Sequence, residues 1–166
     1  MISLCMILIF GSLTGAMQGN NSTSEGKMSQ AIETLKEAQQ YAMTIRPKVG
    51  GFPYLAEVLR AAGVTKNVWI LPACQCIYWT KQGNVASQST PLITDMADVA
   101  RFNREALIRA LQANQAGQST FPQFLESAWK AGVVRYEVDF IKRNVTYYGC
   151  LGEEYKEEYP AVVIKK

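Results

Sequence analysis

"FPYLAEVLRAAGV" spans Phe52–Val64, and "FPQFLESAWKAGV" spans Phe121–Val133, sixty-nine residues further on. In the first, Phe52, Leu55, Leu59 and Ala62 fall on one face at helical spacing; in the second, Phe121, Phe124, Leu125 and Ala128 do the same. Pro53 and Pro122 suit the first turn of a helix, where no amide hydrogen is needed. Gly63 and Gly132 stand where a left-handed residue ends one. The phrase is a short amphipathic helix with its own stop, written twice. Thr120, with Gln123 three positions later, adds a capping box to the second copy. Phe52 and Phe121, which lead the two apolar faces, are expected to be buried against one sheet.

Each copy leads into a strand-like stretch. "VTKNVWILPACQCIYWTKQGN" is rich in β-branched and aromatic residues broken at Pro72, and "VVRYEVDFIKRNVTYYG" alternates Tyr136, Val138 and Phe140 with Arg135, Glu137 and Asp139. Each reads as a hairpin, the second turning near Lys142 to Asn144. A longer helix precedes each copy. Ser29 opens one with Ile32, Leu35, Ala38, Ala42 and Ile45 as its stripe, ended by Pro47 and Gly50-Gly51. Thr94 or Asp95 is expected to cap the other, with Val99, Phe102, Ala106, Leu107, Ala110 and Leu111 inward and Gly117 closing it. "ASQSTP" between them reads as loop, and "EEYKEEYP" near the end as a final exposed strand and turn.

The offset of sixty-nine runs without a gap from Phe52/Phe121 to Gly83/Gly152. A lone hairpin cannot bury its apolar face, whereas two together make a sheet that helices can cover. The expected fold is a two-layer α+β domain over residues 28–166. Its antiparallel sheet has about four strands from two hairpins, and its helix-helix-hairpin pseudo-repeats lie at about 28–84 and 95–153.

Composition narrows the chemistry. The 166 residues are 48% apolar and carry a net charge of +3 with both signs interspersed, which favours neither nucleic acid nor an anionic membrane as partner. Histidine is absent, so triads that rely on it and the commonest zinc ligand are excluded. Cys5, Cys74, Cys76 and Cys150 lack metal or thioredoxin spacing and read as reduced structural thiols. No metal or cofactor is expected.

Residues 1–27 hold an apolar run and a polar linker. "MISLCMILIFGSLTGAM" has Thr14-Gly15-Ala16 as a possible cleavage site but no basic start, and it falls short of a membrane span. "SEGK" must be encoded with a purine-rich GARGG run just upstream of the Met28 codon, which resembles a ribosome-binding site. An over-extended leader with the start at Met28 is favoured over a secretory signal, and both over an anchor.

Candidate site residues come in matched sets. Glu57 and Glu126, on the two short helices, are acid-base candidates if the helices meet, and otherwise solvated helix formers. Tyr78, Trp79, Tyr147 and Tyr148 are paired aromatics in the hairpins. One ring of each pair faces the core and its neighbour the other side, where it could stack on a ligand. Arg101, Arg104, Arg109, Arg135, Lys142 and Arg143 form a basic concentration diluted by acidic neighbours, which reads as a solvated face. Glu153, Glu154, Glu157 and Glu158 offer a cation site of low specificity.

"ANQAGQSTFPQFLESAWKAGVVRYEVDF", then "VTYYG", then "EEYP" resembles the YdfO-like proteins, an uncharacterised enterobacterial and prophage family, some of whose members are labelled phage envelope protein. The resemblance runs from about Met28 to Val163. It implies a small two-layer α+β domain and brings no catalytic residues to carry over. The expected role is that of a cytoplasmic, non-enzymatic accessory protein of prophage type that binds a protein or small molecule. A His-free enzyme using a glutamate, and an exported or envelope-associated protein whose residues 1–16 act as a signal, are the alternatives.

Overall fold

The computed structural model describes residues 29–165, so the leader and its readings lie outside the described residues. Ser29 caps the first helix, α1 (Gln30–Ile45), its hydroxyl accepting from the Ile32 amide at 3.4 Å. Then come α2 (Phe52–Ala61), β1 (Val64–Ile70), β2 (Gln75–Thr80) and β3 (Val85–Gln88). The same succession of two helices and three strands comes next: α3 (Arg104–Gln115), α4 (Phe121–Lys130), β4 (Val133–Asp139), β5 (Asn144–Gly149) and β6 (Glu154–Glu158). One antiparallel sheet holds all six strands in the order β3-β2-β1-β4-β5-β6.

The seam between β1 and β4 is centred on Val68 paired with Glu137, two residues that are themselves sixty-nine apart. At its two ends the Leu71 amide donates to the Val134 carbonyl and the Phe140 amide to the Thr65 carbonyl, both at 3.0 Å. The ladders that flank the seam slip between Val64 and Lys66 and between Val133 and Arg135. An extra residue at each of these bulges turns two successive side chains outward. Beyond them, Asn67, Trp69, Tyr136 and Val138 point into the core under the helices, and Lys66, Val68, Arg135 and Glu137 point to the open face.

The core is a chain of rings crossing the sheet. Phe121 stands edge-on to Trp69 at 5.1 Å, Trp69 stacks on Tyr136 at 6.3 Å, and Tyr136 meets Tyr147 at 5.4 Å. Phe124 touches both tyrosines from α4, and Tyr147 stacks on Tyr155. Phe121 is buried, but Phe52 is only partly so, its ring edge-on to Tyr159 at 5.1 Å. The two leading phenylalanines are thus not equivalent in their surroundings.

Two further expectations fail. The sheet has six strands, not about four, because β3 and β6 extend the two hairpins. Val85 is the one buried residue of β3 and β6 has none, so neither shows an apolar run; hydrogen bonds to a neighbour make them strands, and charge suits β6 to an edge. The second long helix begins at Arg104, not near Asp95, and Asn103 is its cap, accepting from the Ala106 amide at 2.9 Å. The preceding stretch leaves Met96 and Val99 exposed. It is held in extended form where the Asn103 amide donates to the Ala131 carbonyl at 2.8 Å, laying the backbone of Arg101 and Phe102 over Gly132.

That crossing makes Gly132 special. Its φ is +85°, and an added Cβ would lie 2.6 Å from the Arg101 carbonyl group, whereas at Gly63, φ +93°, the Cβ meets only the Lys81 side chain at 3.6 Å. Gly63→Ala should cost about 1 kcal/mol for the left-handed backbone alone. Gly132→Ala should cost more than about 2 kcal/mol, since backbone overlap is added to that strain. Equal losses in urea denaturation would mean that the crossing chain yields freely.

Asn67 is fully buried between Tyr78 and Val138 in the ladders, and neither its amide nitrogen nor its oxygen has a hydrogen-bond partner among the described residues. An unmet buried amide costs about 1–3 kcal/mol. Asn67→Leu, similar in size and apolar, is therefore expected to raise the melting temperature; a lower one would show that the amide is satisfied in solution.

Candidate functional site

Beneath the β3 edge of the sheet lies a cavity of about 330 Å³. Leu35 and Gln39 of α1 form one wall, Phe121 and Leu125 of α4 another, and Trp69 and Tyr78 of the sheet the floor. β3 and the loop after it, through Leu92, close the remaining side. The head of α4 is fixed there by its capping box: the Thr120 hydroxyl accepts from the Gln123 amide, and the Gln123 side chain accepts from the Thr120 amide at 2.8 Å. The loop is tied down by Leu92, whose amide donates to the Pro72 carbonyl at 3.0 Å.

Leu35, Trp69, Phe121 and Leu125 make the walls largely apolar, and Gln39 with Ser87 to Thr90 supplies polar atoms. Gln39 donates its side-chain amide to the Tyr78 hydroxyl at 3.3 Å. Burial, helped by the neighbouring Cys76, holds the Tyr78 phenol well above the usual tyrosine range, and burial likewise pushes the Cys74 and Cys76 thiols up. Thiolate chemistry is therefore disfavoured at these two cysteines. Lys36, exposed on α1, is the one charged residue among the described residues of the lining. The Trp69 indole N–H is buried without a hydrogen-bond partner among the described residues. Such an arrangement can enclose a small molecule; it displays no activated nucleophile.

The aromatic candidates divide as strand alternation requires. Tyr78 floors the cavity and Tyr147 belongs to the ring chain of the core. Trp79 and Tyr148 face the open side, each beneath a cation of its own sheet: Lys66 at 5.5 Å from the Trp79 ring and Arg135 at 3.8 Å from the Tyr148 ring. Glu137 pairs with both of those cations, at 2.6 Å from Lys66.

Glu57 and Glu126 answer to separate partners. Arg60 grips Glu57 through two nitrogens at 2.6 and 3.0 Å, and Arg143 lies 3.8 Å away. The Arg60 hydrogen bond, against some burial, holds the Glu57 carboxyl below the usual range. Glu126 pairs with Lys130 at 2.6 Å on an exposed helix face. The basic residues are likewise dispersed, with Arg104 over the Tyr155 ring at 5.1 Å and Lys142 beside Asp139 at 3.9 Å. Along β6, Glu157 shares the inner side with Tyr155 while Glu154 and Glu158 are exposed, so alternation splits the acidic run. Among the described residues no group of three or more carboxylate or thiol side chains is placed to hold a metal ion. No helix among them is long and apolar enough to cross a membrane.

Trp69, Phe121, Gln39 and Ser89 line the cavity, and none of them stands out in the sequence as a site residue. A signal is nevertheless present. Lined up by their ladder partners, β3 with its next residue offers Val85, Ser87 and Ser89 where β6 offers Tyr155, Glu157 and Tyr159. Small residues opposite large ones at matched inward positions predict a space on one side only.

A family model described as "Protein of unknown function (DUF1398)" matches residues 89–158, the stretch that runs from Ser89 to the end of β6. The uncharacterised protein Rv2012 of Mycobacterium tuberculosis is 51% identical over 136 residues, which is 82% of this chain and 83% of that protein. The uncharacterised protein Mb2035 of Mycobacterium bovis matches to the same extent. The chain belongs to their family. The half that contributes α1, α2 and β1 to β3 lies outside the matched domain, and the cavity joins that half to α4 inside it.

The ion pairs fix how stability varies with pH. Burial raises the Glu137 pKa, but Lys66 and Arg135 pull harder, so the net shift is downward, as it is for Glu57. A carboxyl lowered by folding contributes stability that is full above its ordinary value of 4.5 and is lost as pH falls through the folded value. Glu57→Gln and Glu137→Gln should therefore be less stable than the parent at pH 7, with the gap closing toward about pH 3. Denaturant melts at the two pH values test this, and a gap that persists in acid would mean the carboxylate charge is not what stabilises.

Proposed function

We propose that the protein is a small-molecule-binding accessory module that performs no reaction of its own and takes its ligand into the cavity under β3. The observation that carries this reading is that Leu35, Leu55, Trp69, Tyr78, Phe121 and Leu125, all buried, border about 330 Å³ of unfilled space. The cavity has the size, from about 300 Å³, and the largely apolar lining with some polar groups that ligand sites share.

The same reading treats the two halves as copies of one helix-helix-strand-strand-strand unit, supported by the shared offset and by matching hydrogen bonds at both ends of the β1–β4 seam. Binding is assigned to the copy with the small edge strand. The resemblance to YdfO-like proteins is what supports a prophage-type origin. Cytoplasmic placement rests on reading Met28 as the start. Amino-terminal sequencing of protein from native cells decides that point, since a mature chain lacking only residues 1–16 would mean export.

Titration of the full chain with anilinonaphthalene sulfonate tests the binding. One saturable site with enhanced fluorescence is expected, with the near-ultraviolet circular dichroism of the packed core unchanged. Val85→Tyr, which gives β3 the residue β6 carries at the matching ladder position, should abolish it. Absence of saturable binding, or binding indifferent to Val85→Tyr, would refute the assignment.

A further inference from the structure

The cavity is bordered by every residue from Val85 to Thr90. Side chains alternate along a strand, so a space confined to the inner side of β3 would meet only every second one. It therefore runs along the edge of the strand as well as beneath it. α1 forms the opposite bank through Ile32, Leu35, Gln39 and Met43. Ser87 shares the inner side with Val85 and is nonetheless exposed, which places the opening between that bank and β3.

β3 is the outermost strand, and one bond fixes where its backbone groups point. The Ser89 amide donates to the Cys74 carbonyl at 3.0 Å. Successive residues of an antiparallel strand turn their N–H and C=O to opposite sides, so Val85 and Ser87 face β2 while Ala86 and Gln88 face outward. Those outward backbone groups have no partner among the described residues. In the other half the Tyr159 amide donates to the Arg143 carbonyl at 3.0 Å, which puts Lys156 and Glu158 at the matching outward places of β6. Charged residues on an edge discourage a further strand. The inner side of β6 is also filled, by Tyr155 against Tyr147 and Tyr159 against Phe52. β3 differs in both respects: its outward residues are uncharged, and a groove lies along its inner side.

Resting on the binding role proposed above, we infer that the ligand is a short extended peptide, which pairs with Ala86 and Gln88 as a seventh, antiparallel strand and sends apolar side chains into the cavity. Strand addition takes its affinity from main-chain hydrogen bonds and its specificity from pockets for alternate side chains. Both elements are contiguous in this groove. Residues of the added strand opposite Ala86 and Gln88 bond to β3, and those opposite Val85 and Ser87 face the apolar wall that includes Leu35, Phe121 and Leu125. The added strand continues the β2–β3 ladder. Size selects a peptide over a second copy of the chain. From Ile32 to Met43 the α1 bank rises about 16 Å, the length of about five extended residues. A single strand of that length covers on the order of 100 Å², against about 800 Å² per partner in a stable protein interface.

Calorimetric titration of the full chain tests this with a capped pentapeptide that has leucine second, phenylalanine fourth and threonine elsewhere. One site is expected, from which the peptide displaces anilinonaphthalene sulfonate. Methylating the central threonine amide, which faces β3, should weaken binding by roughly tenfold or more, whereas methylating the phenylalanine amide, which faces away, should change it by less than about twofold. Ala86→Pro removes an outward amide that β2 does not use, a change an edge strand tolerates. It should weaken the peptide to a similar extent and leave dye binding and the near-ultraviolet circular dichroism unchanged. The methylated pair needs no change in the protein, so it decides the matter even where Ala86→Pro fails to fold. Equal affinities for the two methylated peptides would overturn strand pairing, since a side chain dropped into the cavity alone does not distinguish them. An all-threonine peptide binding as tightly as the parent would overturn the part given to the cavity. A dimer in sedimentation that Ala86→Pro dissociates would give the edge to a second copy and overturn the peptide. Saturable dye binding without peptide binding would overturn this inference and leave the binding role in place, and failure of both would remove that role.

Discussion

Two three-stranded sheets, each covered by helices on one face, would leave two inner edges with unpaired amides and carbonyls, which edge strands expose as sites for unwanted pairing. The β1–β4 register joins those edges to each other. It also sets where everything else lies. Val68 opposite Glu137 places Trp69 beside Tyr136 in the core and Lys66 and Arg135 on either side of Glu137 on the open face. A slip of one residue would send the whole set to the wrong sides. The bulges at Thr65 and Val134 act at the same point in both halves, turning Lys66 and Arg135 outward at the two ends of the seam.

Matching backbones with unmatched side chains explain the cavity. Both edge strands are held by ladders to equivalent partners, so the backbone does not register that one edge carries Val85, Ser87 and Ser89 and the other Tyr155, Glu157 and Tyr159. Helix packing cannot collapse to compensate, because α2 and α4 are each set on the sheet by their own aromatic anchors. Phe121 is committed to Trp69, and Phe52 to Tyr159. The volume missing from one edge thus stays as space.

The parts of the fold legible in the sequence are those whose local signals agree with their tertiary role. α2 and α4 have proline at the head, an apolar stripe and glycine at the stop, and both hairpins have alternation broken at a turn. β3 has no such signal, since hydrogen bonds to Tyr78, Ile77, Cys76 and Gln75 make it a strand while its side chains remain polar. The start of α3 is misread from sequence because Val99 and Phe102 share helical spacing with Ala106. The deciding contact, the chain crossing over Gly132, is made by backbone and leaves no mark in residue type beyond the glycine. Of the cavity, Tyr78 alone is visible in the sequence, as one of an aromatic pair; the rest depends on α4 of one half standing over β1 of the other.

The open face shows how the same register leads to a different outcome on the other side of the sheet. Position 68 is valine and its counterpart 137 is glutamate, so one carboxylate serves the two cations that the pseudo-symmetric arrangement places around it. Each cation also covers an outward ring, Lys66 over Trp79 and Arg135 over Tyr148. The aromatic surfaces of that face are thereby engaged by the protein's own charges, and a ligand stacking there would have to displace them. Beneath the helices Tyr78 and Phe121 instead border the cavity, the Tyr78 hydroxyl accepting from Gln39 and the Phe121 ring standing edge-on to Trp69.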